Sequence, residues 1–187
     1  MPSLKRVARP ITAKYLQNAA TFYLERYPTT AEGLRRVLKR RVKRAEMLEA
    51  PVMENVGQAI EGIVAKFVDA GVIDDKAFAQ TKARALHRRG TSSKLTKQKL
   101  RMIGVDSDTL DKAMAALDQE LDTNPRQREW KAAVALARRR RLGPFRLQKD
   151  RKEKRDRDLA AMVRGGFDYD LARKVIDAKS IDALDEA

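Results

Sequence analysis

The stretch Gly71-Val72-Ile73-Asp74-Asp75-Lys76-Ala77-Phe78-Ala79 places the end of one helix and the start of the next within a few residues. Gly71 can adopt the left-handed conformation that closes an incoming helix, and Val72 is placed to supply the apolar contact that accompanies such a cap. Asp74 or Asp75 can accept hydrogen bonds from the free N–H groups that begin the next helix. The stretch therefore predicts a sharp reversal between two helices.

Two other stretches repeat this chemistry, Gly104-Val105-Asp106-Ser107-Asp108 and Gly166-Phe167-Asp168-Tyr169-Asp170. In all three, an apolar residue lies four positions before the glycine, another follows the glycine directly, and acidic N-cap candidates come just beyond. We call these three stretches the glycine hinges. Their recurrence indicates a repeated helical unit rather than one globular bundle.

The bulk composition favours an all-α protein, because the 187 residues include only 9 Gly and 6 Pro while 36% are charged. Cysteine is absent, which excludes disulfides, thiolate metal sites and a cysteine nucleophile. No uncharged run approaches the roughly 18 residues that span a bilayer, and the basic N-terminus is not followed by the apolar core of a signal peptide. We therefore expect a soluble, cytoplasmic protein without a membrane partner.

Apolar residues recur at helical spacing along most of the chain, and Gly, Pro and N-cap residues separate the predicted helices. Thr29 or Thr30 is expected to cap the second helix, and one of Thr91, Ser92 and Ser93 is expected to cap the fifth. The expected buried positions include Tyr15, Ala19, Phe22, Tyr23, Leu34, Val37, Leu38, Val42, Val56, Ile60, Ile63, Val64, Phe67, Val68, Trp130, Ala133, Val134, Ala137, Leu159, Met162 and Val163.

Nine predicted helices fall into three groups of three. The predicted organisation is a basic N-terminal arm at 1–11, helical repeats at 12–72, 73–122 and 123–179, and a frayed acidic tail at 180–187. The grouping follows helix order, because the first glycine hinge comes after a third helix whereas the other two come after second helices.

The chain is strongly basic, with 41 Lys and Arg against 26 Asp and Glu and a formal net charge of +15. Such an excess predicts attraction to polyanions, so nucleic acid or an assembly that contains it is the first partner to consider. The cations gather in three blocks, 35–44, 84–101 and 138–157, whereas acidic residues gather at 106–122 and 168–187. The expected basic binding face contains Arg35, Arg36, Lys39, Arg40, Arg41, Lys43, Arg44, Arg84, Arg88, Arg89, Lys94, Lys97, Lys99, Arg101, Arg138, Arg139, Arg140 and Arg141.

No residue pattern predicts catalysis, a metal site or a cofactor. His87 is the only histidine and has no evident partners to orient it, so a surface or capping role is expected. The pair Asp74-Asp75 is expected to cap a helix rather than to hold a metal ion. Gly165-Gly166 lacks the spacing of a phosphate loop. Trp130 is expected in the core, with base stacking as the alternative.

Four segments, in order along the chain, resemble the motifs of the RecX regulatory proteins of bacterial recombination. The segments are Thr30 with Gly33, Leu34, Val37 and Leu38; residues 71–79; Arg88-Arg89-Gly90 with Leu95, Leu100 and Gly104-Val105; and Arg164-Gly165-Gly166-Phe167. The chain departs from the family pattern at Val72, where the family has an aromatic residue, and at Ser92, where it has a glycine. Gly33 and Val37 also stand in place of charged residues. The resemblance covers about residues 14–178.

The resemblance implies an elongated, curved tandem array of three three-helix units with no active site. It implies a protein that binds the RecA recombinase filament on DNA and blocks its growth, ATPase, strand exchange and co-protease activities. Such a protein would modulate recombination, DNA repair and the SOS response. We expect it to act as a monomer and to contact single-stranded and double-stranded DNA.

Residues 92–103 carry the alternative interpretation, in which they form the recognition helix of a helix-turn-helix-like regulator that binds DNA directly. Such a reader would show sequence-dependent affinity for duplex DNA, whereas a filament regulator would prefer RecA-coated single strands. The arginines of the basic blocks suit phosphates and the carboxylates of a protein partner equally well.

Overall fold

The computed structural model describes residues 9–185, which form ten α-helices and one 3-10 turn. Within that range there is no strand, and one isolated bridge joins Ile11 to Val52. The predicted all-α class is confirmed. Residues 1–8 of the predicted arm and residues 186–187 of the predicted tail lie outside the described part of the chain. The helices are α1 (Ala13–Leu24), α2 (Ala31–Glu46), α3 (Val56–Asp69), α4 (Asp75–Arg88), α5 (Ser93–Met102), α6 (Ser107–Glu120), α7 (Pro125–Arg140), α8 (Gln148–Arg164), α9 (Tyr169–Ile176) and α10 (Asp182–Asp185), with the 3-10 turn at Gly143–Phe145.

The sequence offered more than one N-cap candidate for α2, α4 and α5, and in each case a hydrogen bond identifies the capping residue. Thr30 Oγ1 accepts from the Gly33 N–H at 2.9 Å and begins α2. Asp74 Oδ1 accepts from Ala77 N–H at 2.9 Å and begins α4. Ser92 Oγ accepts from Leu95 N–H at 3.2 Å and begins α5. Each cap satisfies a donor that a helix start leaves without a partner.

The glycine hinges reverse the chain through left-handed residues, as predicted. Gly71, Gly104 and Gly166 have φ of 68°, 91° and 86°. At the first hinge the N–H of Val72 donates to Phe67 O at 3.0 Å and the N–H of Gly71 donates to Val68 O at 2.9 Å, which is the Schellman pattern. The prediction for Val72 was wrong, because its side chain is 57% exposed.

Non-glycine residues make three further left-handed reversals that the sequence did not indicate. Glu49, Asp122 and Arg141 have φ of 55°, 47° and 54°. In each case the N–H of the left-handed residue and the N–H of the residue after it close the helix in the same way; for Arg141, its own N–H donates to Arg138 O and the next one to Ala137 O. These residues carry a Cβ that disfavours positive φ, so the closing hydrogen bonds and the packing beyond the helix must offset the strain.

The described chain divides into two compact units, and residues 9–78 with Ile103–Val105 form the first. Its core is built by apolar residues of α1, α2 and α3, together with Ile73 from the first glycine hinge, which is 3% exposed. Ile73, the second residue after Gly71, therefore makes the apolar contact that was expected of Val72.

The start of α2 is a junction within this first unit. Thr30 Oγ1 donates to Ile103 O at 2.5 Å while it caps its own helix. Asp75 Oδ1 accepts from Ala31 N–H at 2.9 Å. The two neighbouring aspartates of the first hinge thus serve different helices, since Asp74 caps α4 and Asp75 caps the start of α2. Both are helix caps, as the sequence predicted.

Residues Ala79–Met102 and 106–185 form the second unit. Its apolar core brings together residues of α7, α8, α9 and α10. The frayed tail predicted after residue 179 is wrong within the described range, because Ser180 Oγ caps α10 and Leu184 is 3% exposed. Leu184 O also accepts from the Trp130 indole N–H at 3.0 Å, which fastens the end of the chain to α7.

Three residues predicted as buried are exposed. Phe22 is 55% exposed and its ring is covered by the guanidinium of Arg26, 3.6 Å from the ring centroid. Val68 and Val163 are 42% and 46% exposed. Both valines lie in the last turn of a helix, just before a glycine hinge whose buried residue is Ile73 in the first case and Phe167 in the second.

Gly90 combines a left-handed conformation with direct backbone packing. Its φ is 68°, and a Cβ placed on it would lie 2.6 Å from Leu136 Cα and 2.8 Å from Ala132 O in α7. Gly71 has a φ of 68° as well, but a Cβ there would meet nothing within 4 Å. The two glycines therefore separate the cost of positive φ from the cost of close packing.

We expect Gly90→Ala to lower the free energy of unfolding by about 2–5 kcal/mol, the sum of left-handed strain and overpacking. Gly71→Ala should lower it by only about 1–2 kcal/mol, because strain alone acts there. Urea denaturation of both variants and the parent measures the difference. Equal losses at the two positions would show that α7 does not need the bare backbone of Gly90.

Candidate functional site

The first basic block lies on α2, whose inner side is fixed by the buried residues Leu34, Leu38 and Val42. The outer side is populated by four exposed cations, which we call the α2 cationic face: Lys39, Arg40, Lys43 and Arg44. Helical periodicity explains this separation, since the buried residues recur every four positions and leave the opposite side to solvent.

The remaining cations of this block are paired with carboxylates or partly buried. Arg35 Nε lies 2.7 Å from Glu61 Oε2, and Arg36 Nε lies 2.9 Å from Glu32 Oε1. The hydrogen bond to Glu61 raises the pKa of Arg35 above its ordinary value. Arg41 is only partly exposed. The sequence could not separate Arg35 and Arg36 from the α2 cationic face, because the Glu61 partner of Arg35 lies on α3 and the pairing of Arg36 with Glu32 depends on the side-chain rotamer.

The second block is divided in the same way. Arg84 Nε pairs with Glu120 Oε2 at 2.7 Å, and Lys97 Nζ pairs with Asp111 Oδ1 at 2.9 Å. The hydrogen bond from Lys97 lowers the pKa of Asp111. The other predicted residues of this block are exposed: Arg88, Arg89, Lys94, Lys99 and Arg101.

The third block ends α7. Arg138, Arg139, Arg140 and Arg141 are all exposed, as predicted. The guanidinium of Arg138 lies 5.5 Å from the centroid of the Phe145 ring, a cation–π distance that holds this side chain near the 3-10 turn.

Much of the basic run at 149–157 is used inside the fold. Arg155 forms two hydrogen bonds to Asp177, at 2.7 and 2.6 Å, and this pairing lowers the pKa of the Asp177 carboxyl. Arg151 donates to the backbone oxygens of Ala178 and Lys179, just beyond the end of α9. These arginines hold the segment between α9 and α10 against α8 and are not part of an open binding surface.

A buried ionic cluster was missed by the sequence analysis. Arg128 is 6% exposed, pairs with Asp118, and donates to Met114 O and to Ser93 Oγ. Glu129 accepts from both the N–H and the Oγ of Ser93. The cluster ties together α5, α6 and α7 by charge-assisted hydrogen bonds. A signal was present, since Arg128 stands four positions before Ala132 and eight before Leu136, both buried on the inner side of α7.

Asp158 anchors a second buried ion pair. Its carboxylate is 1% exposed and accepts from Arg146 Nε at 2.9 Å, Arg146 Nη2 at 2.7 Å and Gly143 N–H at 3.0 Å. The hydrogen bonds to Asp158 raise the pKa of Arg146. A bidentate arginine and a backbone donor together satisfy the buried carboxylate, so this pair organises the turn between α7 and α8.

The other two candidates of the sequence analysis, His87 and Trp130, are both partly buried. His87 lies half-buried in the last turn of α4, so it is not simply a surface residue. Trp130 is partly buried against the apolar core of the second unit and also lines an open groove. Over residues 9–185, no group of three or more His, Asp or Glu side chains is arranged to hold a metal ion. In the same range, every helix is too short or too polar for a bilayer crossing.

These features define an all-α protein that exposes groups of cations on several capped helices. Residues 74–114 match the family model described as RecX, second three-helix domain. The chain is 41% identical over 171 residues to regulatory protein RecX of Myxococcus xanthus, covering 91% of this chain and 88% of that protein. It is 27% identical to regulatory protein RecX of Agrobacterium fabrum, covering 91% and 86% of the two chains. The chain belongs to the RecX family of regulatory proteins.

The solved structures agree with this family in their fold. The crystal structure of RecX from Lactobacillus salivarius superposes with a TM-score of 0.60 at 21% identity and covers 94% of this chain and 97% of its own. A second crystal structure of regulatory protein RecX gives a TM-score of 0.55 at 19% identity. RecX proteins are regulators and not enzymes, and they inhibit the activities of the RecA filament.

The Arg128 cluster makes a testable contribution to stability. Arg128→Met should lower the free energy of unfolding by about 3–5 kcal/mol, because it leaves Asp118 as a largely buried charge without its partner. Adding Asp118→Leu should recover much of the loss by removing that charge. Arg126→Met, at an exposed position two residues away, is the matched control and should change stability by less than about 0.5 kcal/mol. Chemical denaturation of the four proteins measures these values; full additivity of the two substitutions would contradict the pairing.

His87 should make stability dependent on pH. Burial lowers the pKa of its imidazole below the ordinary value of 6.5, the charges of Arg128 and Lys131 lower it further, and Asp118 opposes them. Below pH 6.5 the unfolded chain therefore takes up a proton that the folded protein does not. Stability should be complete above that pH and should decline as the pH falls towards the lower folded-state pKa.

Urea denaturation between about pH 7.5 and pH 5.5 tests this expectation. Since His87 is the only histidine, no other side chain with an ordinary pKa titrates in this window. His87→Gln should flatten the pH dependence there. A variant that keeps the slope of the parent would place the titrating group elsewhere.

Proposed function

We propose that this protein binds the RecA nucleoprotein filament and inhibits its growth and its ATPase, strand-exchange and co-protease activities, acting in the cytoplasm as a monomer. The observation that supports the proposal most directly is the exposure of cations on separate helices, including the α2 cationic face and the arginines that end α7. A nucleoprotein filament presents repeated phosphates and carboxylates, and several spaced cationic surfaces suit such a lattice better than one pocket does.

In this proposal the helical repeats at 12–72, 73–122 and 123–179 each contribute cations to the contact. The contributing residues are those of the predicted binding face that are exposed and form no ion pair within residues 9–185: Lys39, Arg40, Lys43, Arg44, Arg88, Arg89, Lys94, Lys99, Arg101, Arg138, Arg139, Arg140 and Arg141. Arg35, Arg36, Arg84 and Lys97 act instead within the fold, through their carboxylate partners. The exposed residues serve phosphates of single-stranded and double-stranded DNA and carboxylates of RecA.

The geometry of α5 weighs against the helix-turn-helix alternative. A recognition helix contacts base edges mainly through the residues at its N-terminus. Here the N-terminus of α5 is occupied, because Glu129 accepts from both the N–H and the Oγ of Ser93, and Lys97 in the next turn is paired with Asp111. A carboxylate at that position repels phosphate and competes for the donors that a base would need.

RecA-dependent ATP hydrolysis on single-stranded DNA tests the function. The parent protein should slow ATP turnover and filament extension at amounts comparable to RecA or lower. Replacing the four residues of the α2 cationic face by Gln should weaken the inhibition several-fold and reduce its salt dependence, since each lost phosphate contact removes about 0.7 from the slope of log K against log salt on single strands.

A matched control separates this surface from net charge alone. Four exposed lysines outside the three blocks, changed together to Gln, remove the same charge: Lys14, Lys66, Lys76 and Lys82. This control should inhibit nearly as well as the parent. Equal losses in the two variants would mean that only the overall charge matters, and no inhibition by the folded parent would overturn the proposed function.

A further inference from the structure

An open groove runs along α7 in the second unit, with a volume of about 1670 Å³. Trp130 and Val134 of α7 line it. Leu171 and Lys174 of α9 and Arg88 at the end of α4 line it as well. Small-molecule pockets occupy roughly 300–1,000 Å³ and enclose their ligand, so the size and open form of this groove suit a segment of an extended polymer.

The charge of the groove favours a polyanion. Eight Lys and Arg side chains line it against four Asp and Glu side chains. Two of those carboxylates are occupied, because Glu129 accepts from Ser93 and Asp168 caps α9 by accepting from Leu171 N–H at 2.7 Å. Two of the cations are also paired, Arg128 with Asp118 and Lys97 with Asp111, so six cations remain. Within residues 9–185, the exposed side chains of Lys131, Arg139 and Lys174 make no ion pair.

The aromatic ring of Trp130, which lines the groove, distinguishes polyanions that carry bases from those that do not. Trp130 is partly exposed in the groove while its indole N–H is held by Leu184 O at 3.0 Å. The ring is therefore fixed in orientation before any ligand arrives, and little side-chain entropy is lost on binding. Single-strand binding sites combine this kind of aromatic surface with a positively charged groove, because every base can stack on an aromatic face.

The spacing along α7 matches a strand of several nucleotides. Trp130, Val134 and Arg138 recur every four residues and so lie along one side of the helix. From Arg126 to Arg139 the groove follows about 20 Å of helix, at roughly 1.5 Å per residue. That length corresponds to about six stacked nucleotides at roughly 3.4 Å each.

We propose that this groove binds a single strand of nucleic acid, with Trp130 stacking on a base and Lys131, Arg138, Arg139 and Lys174 neutralising the flanking phosphates. The proposal deepens the function proposed above and rests on it for its biological setting, since RecA filaments assemble on single strands. The binding itself needs no RecA. A duplex keeps its bases stacked inside and offers none to Trp130, so the site selects unpaired strands.

The chain contains a single tryptophan, which makes the test direct. Titration of the 187-residue chain with oligothymidylate, without RecA, should quench the emission of Trp130 in a saturable manner. Affinity should rise steeply with length up to about six nucleotides and slowly beyond that. Duplex DNA of equal charge should bind without comparable quenching. Absence of quenching at saturating oligothymidylate would overturn the proposal.

A second polyanion tests the other class of occupant. Polyglutamate of matched charge carries carboxylates but no bases, and it should leave the emission of Trp130 nearly unchanged. If it quenches this emission and displaces oligothymidylate at equal concentration, the groove recognises acidic peptide and the proposal is wrong.

Two groups of variants assign the contacts, measured by the anisotropy of labelled oligothymidylate. Trp130→Phe keeps an aromatic face and should bind within a few-fold of the parent, whereas Trp130→Leu should weaken binding by roughly fivefold to a hundredfold, the range expected for one stacking interaction. If the Trp130→Leu and Trp130→Phe variants bind oligothymidylate equally well, the ring does not stack on a base.

The charge variant does not depend on the core position of Trp130. Lys131→Gln with Lys174→Gln should lower the slope of log K against log salt by about 1.4, from two lost phosphate contacts. Lys14→Gln with Lys66→Gln, on exposed positions of the first unit, removes the same charge and should leave the slope nearly unchanged. Equal slopes for the two double variants would overturn the assignment of the groove.

The outcomes also separate this proposal from the proposed function. If the parent slows RecA-dependent ATP hydrolysis while the single strand leaves the emission of Trp130 unchanged, the groove assignment is wrong and the proposed function stands. If the strand quenches Trp130 while RecA is unaffected, the groove assignment stands and the proposed function is wrong.

Discussion

The second unit depends on the direct contact between the backbone of Gly90 and the backbone of α7. This contact is possible only where a residue has no Cβ and can adopt positive φ, and glycine alone meets both conditions at low cost. Gly143 makes a similar approach, since a Cβ on it would lie 2.8 Å from Ile176 Cα in α9. Gly166 likewise packs on Leu95, 2.8 Å from a Cβ to Leu95 Cγ. The glycine reversals therefore end helices and also set how closely a helix distant in the chain can lie, as Gly90 does for α7.

The large positive charge is divided between structure and surface. A net charge of +15 opposes a compact state through self-repulsion, so carboxylates placed beside arginines have a structural task in this chain. Asp118, Asp158 and Asp177 hold arginines within the second unit, where they join helices. In the part of the chain that the structure describes, the α2 cationic face and the arginines that end α7 form no ion pair with a carboxylate. Their exposure is what makes them available for a polyanionic partner, and it follows from helix geometry because the buried stripe occupies the other side.

A RecX protein that binds a filament meets the same chemical groups many times along its length. Distributed cations suit such a partner, because each phosphate contact adds a small increment that depends on salt and no single residue has to carry the affinity. The groove along α7 adds a different kind of recognition, since a fixed aromatic ring distinguishes a strand with free bases from other polyanions. The two kinds of contact act on different features of a nucleoprotein filament, one on its charge and the other on any unpaired strand.

The sequence by itself determined the helical class, most helix ends, the left-handed glycines and the family, because these depend on local chemistry within about one turn of helix. Capping residues and Gly71, Gly104 and Gly166 needed no knowledge of distant partners. The tertiary structure alone decided which cations are free. Arg35 and Arg40 stand in the same basic run, and only the approach of Glu61 from α3 separates a structural arginine from an exposed one.

The same physical reason explains the other differences. The burial of Arg128 and of Leu184, and the exposure of Val72, depend on what lies across from each residue when distant helices pack. Periodicity indicates the side of a helix on which a residue lies, but it does not say whether another element covers that side or whether a carboxylate lies within reach. Those facts arise when helices far apart in sequence are brought together, so only the folded chain contains them.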